Sequence, residues 1–184
     1  SDADATGEME SGADCEIYQI DKISLQSDAW KTMDFSDYDT ILHVAGKAHV
    51  GVTSVSEETK KLYYRVNGEL PAKVAEKAKA EGVKQFIFMS SMSVYGTDTG
   101  VITPETVPQP TTFYGKSKLE AEALLRQETD EGFRVCILRP PMVYGPGCKG
   151  NFQTVVKLVR KLPVFPELRN QRSMIHIDNP PPAG

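Results

Sequence analysis

The sequence predicts an α/β fold in which a parallel sheet is covered by helices on both faces. Two observations carry that prediction. The segments DTILHVAG (39–46), VKQFIFMSS (83–91) and FRVCILRPPMVYG (133–145) are near-continuous apolar runs, as expected of strands buried on both sides. Between them lie long segments of helical period, 58–82 and 111–132, and strands that alternate with helices form parallel sheets. In such sheets ligands sit beyond the carboxyl ends of the strands. Three of those ends carry polar chemistry: His43 with Gly46, Ser90 with Ser91, and Arg139 with the turn after it.

Each element follows from a local signal. Residues 1–14 are small, acidic and aperiodic, and read as a disordered tail. CEIYQID (15–21) reads as a short strand ending in Asp21. The helix over 58–82 is expected to break near Pro71, which lacks an N–H, and to end at Gly82. The helix over 111–132 is expected to close at Gly132. NFQTVVKLVRKL (151–162) reads as a short helix and QRSMIHI (171–177) as a short strand, with 180–184 a Pro-rich tail. Residues 15–179 form the predicted domain.

Bulk properties narrow the function. The chain has 184 residues, enough for one domain with a core, with 40% apolar and 25% charged residues and a net charge of −4. It has no basic stripe for nucleic acid and no apolar run of membrane-spanning length. The acidic start lacks the pattern of a secretory signal. Cys15, Cys136 and Cys148 have no metal-ligand spacing, and reduced thiols in a cytoplasmic protein are the simplest reading.

The chemistry concentrates in FYGKSK (113–118). Tyr114 and Lys118 stand at i and i+4, on one face of the predicted helix. A nearby cation favours phenolate over phenol, so such a pair can act as a base near neutral pH. Ser91, at the end of the preceding strand, can face that tyrosine and hold a substrate hydroxyl while the phenolate takes its proton. His43 reads as a buried structural residue, and Tyr95 and Tyr144 as packing or substrate-wall residues.

The stretches HVAG (43–46), YYRVNGEL (63–70), VKQFIFMSSMSVYG (83–96), FYGKSK (113–118), LRPPMVYGPG (138–147) and RSMIHIDN (172–179) resemble, in order, the extended short-chain dehydrogenases/reductases of the epimerase/dehydratase branch. The resemblance implies a Rossmann-type doubly wound sheet, NAD as cofactor and a nucleotide sugar as substrate, with a homodimer left open. It implies Tyr114 as catalytic base, Lys118 as the lysine that binds the nicotinamide ribose and lowers the tyrosine pKa, and Ser91 as the substrate-orienting hydroxyl. Asp21 matches the acid that binds the adenosine ribose, which favours NAD over NADP. Val44, Ala45 and Gly46 would run past the cofactor. Ser93, Asn67, Asn151 and Arg172 match positions at or supporting the substrate, Arg172 as a grip on the diphosphate.

Departures from the family refine the expectation. Met92 and Ser93 stand where dehydratases place an Asp-Glu pair, so an epimerase is favoured over a dehydratase. Met142 replaces an asparagine that contacts the nucleotide sugar in many sugar epimerases. Only Gly7 and Gly12 precede CEIYQID, where the family has a Gly-x-x-Gly-x-x-Gly loop for the cofactor pyrophosphate. The expectation is a sheet incomplete at both ends, from a longer enzyme. The alternatives are an NAD(P)-dependent keto-reductase or dehydrogenase of the same family, or a non-catalytic dinucleotide- or partner-binding module.

Overall fold

The computed structural model describes residues 19–47, 56–97, 99–146, 156–157, 160–161 and 173–178. The chain divides into two compact units, 1–34 and 35–184. In the first, residues 19–21 are without regular structure, so the described part of the predicted strand 15–21 is not a strand. Asp28–Lys31 form a 3₁₀ turn that contains the buried Trp30.

The second unit holds the predicted parallel sheet. Strands β1 (Thr40–His43), β2 (Gln85–Met89) and β3 (Arg134–Leu138) lie in the order β1-β2-β3, all parallel. In β2, Phe86 and Phe88 are fully buried, while Gln85, Ile87 and Met89 on the opposite face are half-buried. His43 pairs with Phe88 in register and shares its buried face. The other face is more open than the continuous apolar runs predict, with Leu42 56% and Leu138 43% exposed.

The helix predicted over 58–82 runs without interruption but changes its pitch. Helix α1 (Glu57–Tyr63) opens on Ser56, whose side chain accepts from the Thr59 N–H. A π-helical turn (Tyr64–Glu69) follows, and then α2 (Leu70–Ala80) with Pro71 in its first turn. The expected break at Pro71 is therefore replaced by a wide turn just before it. Pro71 cannot donate to the carbonyl four residues back and would crowd it, and a π turn removes that conflict without ending the helix. Gly82, at φ 89°, closes α2, with its N–H on Lys79 and the Val83 N–H on Ala78. That is the bonding of a Schellman cap.

Helix α3 (Phe113–Glu128) starts at Thr112, whose hydroxyl accepts from the Gly115 N–H at 3.0 Å. It ends at Glu128, earlier than the expected Gly132, because Thr129 is extended. The Asp130 carboxylate instead accepts from the Gly132 and Phe133 N–H groups and turns the chain into β3. The apolar run 133–145 is two strands rather than one. Arg139, Pro140 and Pro141 separate β3 from β4 (Met142–Tyr144), which pairs in parallel with β5 (Met174–His176) in a second small sheet. Two successive prolines remove the donors a continuing strand needs.

Residues 156–157 and 160–161 are helical, within the helix predicted for 151–162. Asn151, Arg172, His49, Cys15, Cys148 and both predicted tails lie outside the described residues. Cys136 is a free, half-buried thiol on β3.

Candidate active site

Three elements of the second unit converge beyond the carboxyl ends of β1 and β2. After β2 the chain passes through Ser90 and Ser91 into a 3₁₀ turn, Met92–Tyr95, that ends at Gly96 with φ 64°. Ser91 caps this turn: its hydroxyl accepts from the Ser93 N–H at 3.2 Å and from the Ser93 hydroxyl at 3.0 Å. Helix α3 approaches the turn through Gly115. A Cβ on that residue would lie 2.5 Å from the Ser93 carbonyl oxygen and 3.0 Å from Pro110 Cβ. A glycine is what lets the helix backbone come this close.

The approach brings Tyr114 to Ser91. The Ser91 hydroxyl hydrogen-bonds the half-buried phenol. The serine and tyrosine singled out in the sequence are thus on the same side of the sheet, with Ser93 beside them.

Lys118 lies one turn further along α3 and is 3% exposed. Its Nζ donates to the Met89 carbonyl at 2.8 Å and stands 4.5 Å from the centre of the Phe88 ring. Burial lowers its pKa to about 8, against the opposing attraction of Glu122. The Tyr114 phenol is pushed up, chiefly by burial and further by Tyr63, while the Ser91 hydrogen bond pulls it down. The direction of the phenol is thus set by its burial. Desolvation outweighs the stabilising contact, and the lysine ammonium is directed to a strand-end carbonyl.

Asn67 sits in the π turn and is fully buried. Its Oδ1 accepts from the Lys47 N–H at 2.7 Å, and its Nδ2 reaches the Lys47 carbonyl at 3.1 Å and the Ser117 hydroxyl at 3.3 Å. Grouped with the substrate contacts in the sequence, it sits instead beneath the loop after β1 and fixes that loop to α3. Gly46 lies directly on this support: a Cβ there would be 3.1 Å from Asn67 Oδ1 and 3.4 Å from Lys118 Nζ. The backbone at Gly46 is thereby laid close to the buried ammonium.

His43 precedes that loop, packed against Phe86 and Phe88 at ring separations of 5.9 and 6.0 Å. Burial and then the Lys118 charge lower its pKa to about 4, opposed by a hydrogen bond with the Ala45 backbone. Its Nε2 has no hydrogen-bond partner among the described residues. A neutral, desolvated imidazole suits packing rather than proton carriage. Asp21 is exposed and lies in the first unit.

Sequence reasoning missed a buried ionic group beside the site. Glu122, one turn beyond Lys118, is 1% exposed. Its Oε1 accepts from the Ser90 hydroxyl at 2.6 Å and from Arg139 Nε at 2.9 Å, and its Oε2 from a terminal Arg139 nitrogen at 2.5 Å. Arg139 also donates to the Tyr95 hydroxyl at 2.7 Å. The available signal was the spacing of Tyr114, Lys118 and Glu122 at i, i+4 and i+8, which places a carboxylate on the inward face of α3.

The site fits a nicotinamide cofactor on one side. A buried cation, a phenol and a glycine-bearing backbone adjoin one another, and Lys118, Tyr114 and residues 44–46 are those that would hold its nicotinamide half. No Gly-x-x-Gly-x-x-Gly run for the pyrophosphate occurs in the sequence.

Known proteins share this plan. The chain is 35% identical over 170 residues to a UDP-glucose 4-epimerase of Vibrio cholerae, covering 89% of this chain and 51% of the relative. It is 34% identical over 119 residues to the GDP-6-deoxy-D-mannose reductase of Pseudomonas aeruginosa, covering 62% of this chain and 38% of the relative. Among solved structures it matches a UDP-glucuronic acid 4-epimerase from Bacillus cereus in complex with UDP-glucuronic acid and NAD. That match has a TM-score of 0.66 and 27% identity, and covers 81% of this chain and 50% of the other. The chain thus spans about half the length of these epimerases. The family model for the NAD dependent epimerase/dehydratase family matches residues 5–179, and with the parallel Rossmann-like sheet this shows that the chain belongs to that NAD-dependent enzyme family.

Proposed function

We propose that this chain carries the proton-transfer site of an NAD-dependent epimerase acting on a nucleotide sugar. The observation that carries the reading is the hydrogen bond between the Ser91 hydroxyl and the Tyr114 phenol, with the Lys118 ammonium one helical turn away. Ser91 holds the reacting sugar hydroxyl, with Ser93 beside it. Tyr114 Oη, as phenolate, accepts the proton of that hydroxyl while the carbon bearing it becomes a ketone. When the keto-sugar is reduced on its other face, Tyr114 returns the proton to the new hydroxyl. NAD, when bound, would supply the hydride acceptor and donor.

Lys118, with a pKa of about 8, is mostly charged at neutral pH and holds the nicotinamide ribose with the backbone of residues 44–46. Asp21 binds the adenosine ribose and selects NAD. Asn151 and Arg172 hold the nucleotide diphosphate, and Asn67 positions the loop after β1. The absence of a carboxylate at Met92 and Ser93 supports epimerisation over elimination of water. The similarity to the V. cholerae and B. cereus epimerases supports a UDP-sugar as substrate.

The similarity to a GDP-6-deoxy-D-mannose reductase favours a second reading, a keto-reductase that uses the same base in one direction. The test is an enzyme of full family length that carries this chain, incubated with UDP-glucose. An epimerase forms the 4-epimer with no net change in nicotinamide redox state. A reductase given a keto-sugar instead oxidises one nicotinamide per product. Tyr114→Phe should lower turnover by roughly 10²–10⁴-fold, the usual contribution of general acid–base catalysis. Near-normal turnover would remove Tyr114 from its role, and no turnover in either assay would favour a binding module.

A further inference from the structure

The buried Glu122 anchors both ends of the turn that presents Ser91. At the start of the turn, Ser90 Oγ donates to Glu122 Oε1 at 2.6 Å. At its end, Tyr95 accepts from Arg139 at 2.7 Å, and the guanidinium lies 4.9 Å over the Tyr95 ring. Two other nitrogens of the same guanidinium bind the Glu122 carboxylate. Ser91 stands between these anchors, and Tyr114 stands on the helix that carries Glu122. Backbone bonds from Ser90 to Leu138 and from Met92 to Pro140 fix the same turn to the segment leaving β3.

Stability alone does not account for this arrangement. A buried ion pair often contributes no more than apolar residues of similar volume, whereas removing one partner is strongly destabilising. What apolar residues could not supply is the orientation of two hydroxyl-bearing residues, Ser90 and Tyr95, through a planar two-pronged grip. We propose that Glu122, acting through Ser90 and Arg139, is a positioning residue that sets the Ser91 hydroxyl against Tyr114. Its importance for turnover rests on the reading of Tyr114 as the base, but the contact it controls can be read without any turnover.

The experiment uses the 184-residue chain labelled with ¹³Cζ-tyrosine. The Tyr114 resonance, assigned by its loss in Tyr114→Phe, reports hydrogen bonding at the phenol oxygen at pH 7. Ser91→Ala defines the shift on losing the Ser91 contact. Glu122→Gln keeps the shape of the side chain but presents a donor to Arg139, and should shift Tyr114 in the same direction. The double variant Glu122→Leu with Arg139→Leu removes both partners of the ion pair together, and Lys118 keeps its hydrogen bond to the Met89 carbonyl. This variant should regain much of the stability to urea that Glu122→Gln loses, yet keep the shifted resonance. That split between stability and signal is what a purely structural ion pair would not give. A double variant whose Tyr114 resonance matches the parent while Ser91→Ala shifts it would overturn the proposal. So would a Ser91→Ala chain with an unshifted resonance. Should Glu122→Gln fail to fold, the double variant decides alone. Loss of the proposed epimerase activity in a separate assay would leave this result standing.

Discussion

At the scale of single residues, the site places two titratable groups where burial opposes their charge. Lys118 has its pKa lowered from 10.5 to about 8, equivalent to about 3 kcal/mol against the charged form. A group depressed in the folded state contributes stability above its unfolded pKa and loses it as pH falls, so the penalty is fully present at pH 7. The hydrogen bond to Met89 and the Phe88 ring offset it by about 1–3 and 1–2 kcal/mol. Lys118→Met should therefore be roughly neutral at pH 7, within about 1 kcal/mol. The parent should gain on the variant between pH 8 and 10.5, measured by urea unfolding, and a pH-independent difference would contradict the assignment. His43 shows the same sign at lower pH. It is faced by Phe86, Phe88, Lys118 and the Ala45 backbone, and its pKa falls from 6.5 to about 4. The folded chain should lose about 3 kcal/mol as pH falls from 6.5 to 4. His43→Gln should flatten that slope, and an unchanged slope would place the titrating group elsewhere.

At the scale of elements, the positions legible in the sequence are those fixed by spacing within one element. Tyr114 and Lys118 share a helix face because 3.6 residues make a turn, and Ser91 ends a strand whose apolar run is local. The partners of Glu122 were not legible, because Ser90 and Arg139 come from two different strands and only the β2–β3 register brings them together. The π turn was likewise hidden: Pro71 marks a conflict in the helix, but the widened turn that resolves it lies in Tyr64–Glu69. The role of Gly115 was not legible, since its use is a close approach to Ser93 from another element. That contact gives a prediction in which two effects compete. Gly115→Ala gains up to about 1 kcal/mol of helix propensity, less in a first turn. The new Cβ would stand 2.5 Å from the Ser93 carbonyl oxygen, and forced repacking typically costs about 1–3 kcal/mol. Crowding should win, with a net loss of about 1–2 kcal/mol in urea unfolding, and a stabilised variant would show that the turn yields freely.

At the scale of the whole molecule, the proposed cofactor site is more complete on its nicotinamide side than at the pyrophosphate. In the proposed reading, Lys118, Tyr114 and the backbone of residues 44–46 serve the nicotinamide half. The sequence has no Gly-x-x-Gly-x-x-Gly run, the feature that lets backbone N–H groups and a helix N-terminus meet a pyrophosphate. Such a terminus contributes about 0.3–1 kcal/mol when exposed and up to about 2 when partly buried. Each backbone hydrogen bond to a charged group adds on the order of 1.5–3 kcal/mol. One terminus and two such bonds sum to about 4 kcal/mol or more, hence roughly a thousandfold in affinity. The chain spans about half of its V. cholerae relative, so the affinity of an enzyme of family length is a separate quantity. The 184-residue chain by itself should bind NAD much more weakly than micromolar. Calorimetric titration with NAD is the measurement. A micromolar dissociation constant would mean that other residues of this chain bind the pyrophosphate, and that the glycine run is not needed for the grip.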